Sequence, residues 1–102
     1  MMVRLEWSPY AIEDRESIFD HIAQDNPLAA VNVDDRIREQ TEQLIRHPQM
    51  GRPGRATGTR ELVISHTPYV VAYRILGDDL RILRVLHSAQ RWPESIHLDA
   101  IA

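Results

Sequence analysis

The sequence predicts an α+β domain in which a helical hairpin packs on one face of a small antiparallel sheet. Three observations lead to this fold class. A short alternating run opens the chain, two longer amphipathic stretches follow, and three apolar runs lie one after another between Gly58 and Pro93. Amphipathic stretches with helical spacing indicate helices, and short runs rich in β-branched residues indicate strands. The predicted order is therefore strand, helix, helix, strand, strand, strand.

The bulk composition indicates a single globular domain. The chain has 102 residues, of which 43% are hydrophobic and 26% charged, and this length allows a modest core. No apolar run is long enough to span a membrane, and the charged opening residues do not resemble a signal peptide, so we expect a cytoplasmic protein. We expect one domain over residues 1–102, with residues 94–102 as a short tail that is free to move.

The ionisable residues exclude several kinds of site. The chain has no cysteine, which excludes disulfides and thiolate metal sites, and its five histidines lack metal-ligand spacing. All 12 basic residues are arginine, and the net charge is −3. Proteins that bind nucleic acid strongly without sequence preference are normally basic, so this class is disfavoured. Without lysine, any contact to an anion depends on arginine or histidine.

Alternation and a capping pair define the first strand and the first helix. Residues 3–7 alternate between apolar and polar. The apolar members share one face and are Val3, Leu5 and Trp7. Ser8 is a favourable N-cap and Pro9 fits the first helical position, so a helix begins there and should end near residues 24–25. Its core-facing stripe has a spacing of three and four residues and consists of Ala11, Ile12, Arg15, Ile18, Phe19 and Ile22.

The second helix repeats this capping pair at Asn26 and Pro27 and should run to about His47, before Pro48. Its core-facing stripe consists of Ala30, Val33, Ile37, Thr41, Leu44 and Ile45. The link between the two helices is very short, so they form an antiparallel hairpin. Each helix is apolar on one side only, and we expect that side to lie on the sheet.

The three apolar runs have the pattern of consecutive strands in an antiparallel meander. They span residues 61–64, 69–76 and 80–87 and are separated by turn residues. Such short connections join antiparallel neighbours. Residues 49–59 form an irregular loop that Arg52 and Arg55 make basic. We expect the first strand of the chain to join the same sheet, which gives four strands.

Charged residues within the apolar runs are candidates for a functional surface. Arg60 precedes the first run, Arg74 and Arg84 lie inside the other two, and His87 ends the last. Burying a charged side chain without a partner is costly. One interpretation is an open, arginine-lined face that binds a phosphate backbone or an acidic protein segment. The other is a set of cross-strand ion pairs, with carboxylates drawn from Glu61, Asp78 and Asp79.

Two residues near the end of the last run also have two interpretations each. His87 is either a general acid or base near neutral pH or a hydrogen-bonding residue that ends the strand. Trp92 is either a cap over the sheet, with Pro93 stopping further pairing, or an anchor for a partner protein.

Six short motifs occur in order along the chain. They are W-S-P-x-A at residues 7–11, N-P-x-A-A at 26–30, H-P followed by G-R within 47–52, G-x-R-E-L-V at 58–63, Y-x-V-x-Y-R at 69–74 and I-L-R-V-L-H-x-x-Q-R-W-P at 82–93. As an ordered set they resemble the RelE/ParE superfamily of bacterial toxins. This superfamily has the same order of strands and helices that was predicted above from the residue pattern.

The resemblance implies the toxin of a type II toxin–antitoxin pair. Such a toxin is neutralised by a cognate antitoxin, a small and partly disordered protein that folds upon binding. Operator DNA is contacted only through the antitoxin. The resemblance implies no cofactor, no metal and no membrane partner.

The superfamily contains two mechanisms. RelE-like members are ribosome-dependent endonucleases that cleave messenger RNA with basic residues, usually including lysine, and a C-terminal tyrosine or histidine. ParE-like members keep the fold, lack that set and inhibit DNA gyrase. Here lysine is absent, the last tyrosine is Tyr73 and the chain is slightly acidic, so the resemblance favours a gyrase inhibitor that blocks replication.

Specific residues are associated with each alternative. A messenger endonuclease would use Arg60, Arg84 and His87, with a base and two cations acting on the same phosphate. A gyrase inhibitor would act by binding and not by catalysis. The residues expected to bind the partner are Arg74, Arg84, His87, Arg91 and Trp92. A third alternative is a decayed, non-toxic binding module.

Overall fold

The structure is a computed structural model, and it describes residues 2–93. The predicted tail, residues 94–102, lies outside the described residues. The elements in chain order are β1 (Arg4–Trp7), α1 (Pro9–Ala23), α2 (Pro27–Glu42), a 3₁₀ turn (Gln43–Ile45), β2 (Arg52–Pro53), β3 (Arg60–Val63), β4 (Tyr69–Leu76) and β5 (Asp79–His87).

The five strands form one mixed sheet in the order β1-β5-β4-β3-β2. The predicted α+β class is confirmed, but two details of the sheet differ from the prediction. β1 pairs parallel to β5, while the other pairs are antiparallel. Both helices lie between β1 and the meander, and a crossover of that length permits parallel pairing. The fifth strand is β2, a two-residue segment that pairs with the start of β3 and carries no strand pattern of its own.

Both helices begin where their capping pairs predict. The Ser8 hydroxyl accepts a hydrogen bond from the Ala11 amide at 3.1 Å, and the Asn26 side chain accepts one from the Ala29 amide at 3.1 Å. The second α-helix ends earlier than predicted, at Glu42, and the 3₁₀ turn continues the chain toward Pro48. Tightening of a last helical turn into 3₁₀ geometry is common where a proline follows.

The main core lies between the helices and one face of the sheet, here called the core face. The apolar side chains predicted for the first strand contact this core, and so do Ala11, Ile18, Ile22, Val33, Ile37 and Leu44 of the predicted helical stripes. Ile12, which was predicted to face the core, is instead exposed. Its largest fully buried side chains are Ile37, Leu44, Ile64, Tyr73, Leu80 and Ile82. A smaller apolar cluster of Ala72, Leu83 and Leu86 lies on the opposite side of the sheet, here called the outer face. No helix among residues 2–93 is both long and apolar enough to cross a bilayer.

The free edge of β5 is closed by side chains where β1 ends. The Ser8 hydroxyl donates to the Leu83 carbonyl at 2.9 Å, and the Asp14 carboxylate accepts from the Val85 amide at 2.9 Å. A register shift in β5 leaves Leu83 without a residue opposite it on β4. This β-bulge interrupts the alternation of side chains, because one extra residue is inserted in one strand. Because of this bulge, the spacing of apolar residues in the last run does not show which face of the sheet the helices cover.

Candidate partner-binding surface

A buried carboxylate on the outer face contacts two arginines of the 49–59 loop. The side chain of Glu61, on β3, is only 2% exposed. Its carboxylate accepts from the Arg52 guanidinium at 3.2 Å and from the Arg55 backbone amide at 2.8 Å, and the Arg55 Nε lies 3.5 Å away. Both arginines remain about half exposed, with side-chain values of 56% and 47%. One negative charge therefore faces two positive charges at the protein surface.

The indole ring of Trp92 contacts the side chain of Arg55, the second of these arginines. The Arg55 guanidinium carbon lies 3.7 Å from the centre of the indole ring, which is a cation–π contact. The indole packs on the outer-face cluster, and its Nε1 donates to the His87 carbonyl at 3.3 Å. Trp92 thus covers part of the outer face while supporting an exposed cation.

Arg74 lies beside this group on β4. It is two residues along the strand from Ala72, which pairs with Glu61, so its side chain leaves the same face about 7 Å from the carboxylate-bearing position. Within residues 2–93 its side chain forms no hydrogen bond or ion pair. The predicted cross-strand pairing of Arg74 is therefore absent there, because Glu61 binds the loop arginines and Asp79 binds Arg4 at 2.9 Å.

We call Arg52, Arg55 and Arg74 the arginine platform. Two guanidinium groups contact one buried carboxylate, and Arg74 leaves the same face of the neighbouring strand. The residue opposite Arg74 on β5 is a further arginine, Arg81, which is paired with Glu6 of β1. Like charges on directly opposed positions of a sheet repel each other. The platform is thus a site of uncompensated positive charge that the fold maintains at a cost.

A cross-strand ion pair was one of the two interpretations of Arg84, but its described carboxylate partner lies on a helix. Its Nε and Nη2 donate to the Asp14 carboxylate of α1 at 2.8 and 2.9 Å. The same carboxylate also accepts from the Val85 amide, so it joins the first helix to the last strand. Asp14 lies 70 residues before Arg84, and the sequence pattern contains no signal that joins them.

Arg60 holds the loop and not a ligand. Its Nε donates to the Gly51 carbonyl at 3.0 Å and one Nη to the Gln49 carbonyl at 3.1 Å. Tyr73 supports the same segment, because its hydroxyl accepts from the Gly51 amide at 2.9 Å and donates to the Pro48 carbonyl at 2.7 Å. Together these bonds position the loop that carries Arg52 and Arg55.

His87 lies on the core side of the sheet. Its ring contacts Tyr69 edge to face, with ring centres 5.5 Å apart, and its Nδ1 accepts from the Ala89 amide at 3.0 Å. Burial raises the pKa of the Tyr69 phenol above its ordinary value of 10.0. The two rings line a cleft of about 530 Å³ whose other lining residues are Ser17, Ile18, His21, Ile22, Val33, Pro68 and Gln90. No arginine is among them.

The structure therefore does not bring the three nuclease candidates together. Arg60 contacts loop carbonyls, Arg84 contacts Asp14, and His87 faces a cleft without arginine. Of the residues predicted to bind a partner, Arg74 and Trp92 lie on the outer face, and Arg91 is exposed beside Trp92. Among residues 2–93 no cluster of histidine and carboxylate side chains could hold a metal ion.

Three functional candidates, Arg52, Arg55 and Glu61, were not predicted as site residues. The sequence marks the two arginines only as part of a basic loop, and Glu61 as the start of an apolar run and a possible cross-strand partner of an arginine. A carboxylate at the border of a short apolar strand is a usable signal, because it is buried only when a cation accompanies it. The identity of that cation depends on the path of the loop, which the residue pattern does not define.

Comparison with known proteins places these features in a family. The family model described as "ParE toxin of type II toxin-antitoxin system, parDE" matches residues 5–92. The chain is 41% identical over 91 residues to "Putative toxin Y4kP" of Sinorhizobium fredii, covering 89% of this chain and 94% of that protein. It is 35% identical over 89 residues to "Toxin RelE2" of Caulobacter vibrioides, covering 87% and 99%.

A solved structure has the same fold. It is described as "Chromosomal ParDE TA system from P. aeruginosa", and it superposes with a TM-score of 0.76 at 29% sequence identity. The match covers 84% of this chain and 96% of that one. The similarity thus extends over both helices and the sheet.

Proposed function

The chain belongs to the ParE toxin family of type II toxin–antitoxin systems, and on that premise we propose that it stops growth by binding DNA gyrase and blocking replication. The action is inhibitory binding and not catalysis. One observation carries this proposal: the sheet separates His87, on the core side, from the arginine platform on the outer face.

This separation disfavours RNA cleavage for a chemical reason. Cleavage through a 2′-hydroxyl needs a base to remove its proton and cations that stabilise the charged transition state at the same phosphate. The cleft at His87 has no arginine in its lining, and Arg84 is held by Asp14. The outer-face carboxylate, Glu61, is buried and bound by two arginines, so it is not a free base.

The proposed regulator is a cognate antitoxin, since the structural neighbour from P. aeruginosa is described as a ParDE toxin–antitoxin system. We assign it to the helical hairpin. The side chains of Ile12, Leu28 and Val31 are 46%, 70% and 44% exposed there. A groove of about 300 Å³ is lined by Ile12 and Phe19 together with the charged residues Arg15, Glu16, Asp20 and Asp34. Stable, long-lived interfaces are typically more apolar than transient ones, which suits a partner that must remain bound. Contact to operator DNA is assigned to the antitoxin.

The test is a supercoiling assay with purified gyrase and toxin, repeated with antitoxin added. We expect loss of supercoiling and accumulation of cleaved DNA, both relieved by the antitoxin. The variant His87→Ala should inhibit as wild type does, because the imidazole has no part in inhibitory binding.

Two other results would each establish an alternative function. A toxin that stops growth without affecting gyrase, that cleaves messenger RNA on ribosomes and that loses toxicity in His87→Ala would establish the endonuclease mechanism. A protein that causes no growth arrest when produced without antitoxin would establish a decayed binding module.

A further inference from the structure

Positive and negative charges occupy different layers of the molecule. Residues 9–45, which form the helices and the 3₁₀ turn, contain nine acidic residues and three arginines, a net charge of −6. Residues 46–93, which form the meander and its loop, contain three acidic residues and eight arginines, a net charge of +5. The net charge of −3 for the whole chain therefore does not show that the sheet layer is positively charged and the helical layer negatively charged.

Two arginines of the platform, Arg52 and Arg55, are held in place by specific contacts. Arg55 is held from one side by the Trp92 ring and from another by the Glu61 carboxylate. Arg52 is held by the other oxygen of the same carboxylate. A guanidinium has five N–H donors, and these contacts use only part of them, so the exposed donors of both groups remain available in fixed positions. Such pre-organisation lowers the entropy lost when an anion binds.

We propose that the toxin binds its target through the arginine platform, and that the platform binds a carboxylate-rich segment of gyrase. This inference rests on the proposed function and adds the contact surface and the chemistry of the epitope. Arg74 is the central residue, because it has no partner among residues 2–93, and Arg52 and Arg55 flank it. A carboxylate matches the planar fork of a guanidinium with two parallel hydrogen bonds.

A peptide carboxylate fits this surface better than a nucleic-acid phosphate. Strong binding to a polynucleotide needs many phosphate contacts along its backbone, whereas the platform offers three arginines on a protein that carries −3 overall. A short acidic segment needs only local complementarity. Val63, 50% exposed on the same face of β3, offers an apolar contact next to the arginines, which suits a segment that mixes acidic and apolar side chains.

The target and not the antitoxin is assigned to this face because the two exposed faces differ in character. The hairpin exposes several large apolar side chains among acidic ones, whereas the platform exposes arginines beside the single apolar residue Val63. Charged interfaces speed association and select partners, while apolar ones stabilise permanent complexes. The platform therefore suits a toxin that must find gyrase before antitoxin finds the toxin.

The experiment compares Arg74→Gln with Arg38→Gln in the full-length toxin. Arg38 is the matched control, since it is also exposed and loses the same charge, but it lies on α2 among Asp35, Glu39 and Glu42. We expect Arg74→Gln to weaken gyrase binding about tenfold and Arg38→Gln less than about twofold, at equal ionic strength. Antitoxin affinity should change less than about twofold in Arg74→Gln. A short poly-glutamate peptide should compete with gyrase for the toxin, whereas poly-glutamine should not.

Four outcomes would overturn the inference while leaving gyrase inhibition intact. The first is an Arg74→Gln toxin that binds gyrase as wild type does. The second is an equal loss in Arg38→Gln, which would indicate general electrostatics. The third is a loss of antitoxin affinity in Arg74→Gln, which would assign the platform to the antitoxin. The fourth is binding to duplex DNA alone that Arg74→Gln abolishes, which would make phosphate the ligand. A wild-type toxin without effect on gyrase overturns the proposed function itself, and the inference with it.

Discussion

The helical layer and the outer face of the sheet both carry arginines, but these arginines differ in the number of carboxylates that lie near them. On the helices, Arg15 forms two bonds of 3.0 Å to Asp34, and Arg38 has three carboxylates within 4 Å. On the outer face, Arg52 and Arg55 share Glu61, and Arg74 has no described partner. Arg36, on the surface of α2, has no described ion pair, so the contrast lies between Arg15 and Arg38, which carboxylates of their own layer bind, and Arg74, which we propose is available for recognition. What separates the two roles is the local supply of carboxylates, which net charge does not report.

The largest expected effect comes from Asp14, which joins the two layers. Replacing Asp14 by Ala removes the carboxylate that binds the Arg84 guanidinium and the Val85 amide, in a site where both side chains are mostly buried. We expect a loss of about 3 kcal/mol in the free energy of unfolding. Urea denaturation measures it.

Asp35→Ala is the control for this change. Asp35 is a half-exposed carboxylate of α2 with a single contact to Arg38 at 3.8 Å, and its loss should cost less than about 0.5 kcal/mol. Similar losses for the two variants would show that the helix and β5 are not joined through Asp14.

Tyr73→Phe should lower the free energy of unfolding by about 1–2 kcal/mol, the second largest expected effect. The change keeps the buried ring but removes the hydroxyl that bridges the Gly51 amide and the Pro48 carbonyl. The loop then loses one of its two anchors, while Arg60 still holds it. Thermal unfolding gives the stability, and gyrase binding should weaken with it because this loop carries Arg52 and Arg55. Reduced stability with unchanged gyrase affinity would argue that the position of the loop does not matter for recognition.

The comparison between the layers can be tested directly with two single substitutions. Arg15→Gln should destabilise the protein by about 1 kcal/mol, because it breaks the paired bonds to Asp34 and the contact of its guanidinium with the Trp7 ring at 4.7 Å. Arg74→Gln should change stability by less than about 0.5 kcal/mol, since no described side-chain bond is lost. The denaturant midpoints of the two variants, compared with that of wild type, measure these changes in stability. A clear loss of stability in Arg74→Gln would mean that this arginine is structural after all.

The smallest expected effect on stability comes from ionisation of the Tyr69 phenol at alkaline pH. Burial favours the neutral phenol of Tyr69, so the folded state retains a proton that the unfolded chain releases near pH 10. This contribution to stability is fully present below that pH and is lost as the pH rises further. We expect the urea midpoint of Tyr69→Phe to decline less between pH 10 and 11 than that of wild type. Parallel declines would indicate that the phenol titrates alike in both states.

Local patterns defined the elements of this fold, while long-range pairing determined the candidate site. The range predicted for β4 is identical to that observed, and Ser8 and Asn26 fixed both helix starts, because strand alternation and capping depend only on nearby residues. The parallel pairing of β1 and the added strand β2 depend on where distant segments come to lie.

The same distinction explains the site. Arg74 and Trp92 were recognised as unusual from their neighbours in the chain. The partner of Arg84 was not recognised, because Asp14 reaches it only after α1 has packed along β5. The bulge at Leu83 further changed which side chains share a face. Ion pairing of this kind is a property of the assembled layers and has no periodic signature.

The closed edge of β5 affects how the protein behaves when many copies are made. An open strand edge is a template on which another chain can add and start a growing sheet. Here the Ser8 hydroxyl, the Asp14 carboxylate and the Gln90 side chain occupy backbone groups of β5 beyond the end of β1. Newly synthesised toxin that has not yet met its antitoxin therefore offers few unpaired backbone groups along this edge to a strand of another copy.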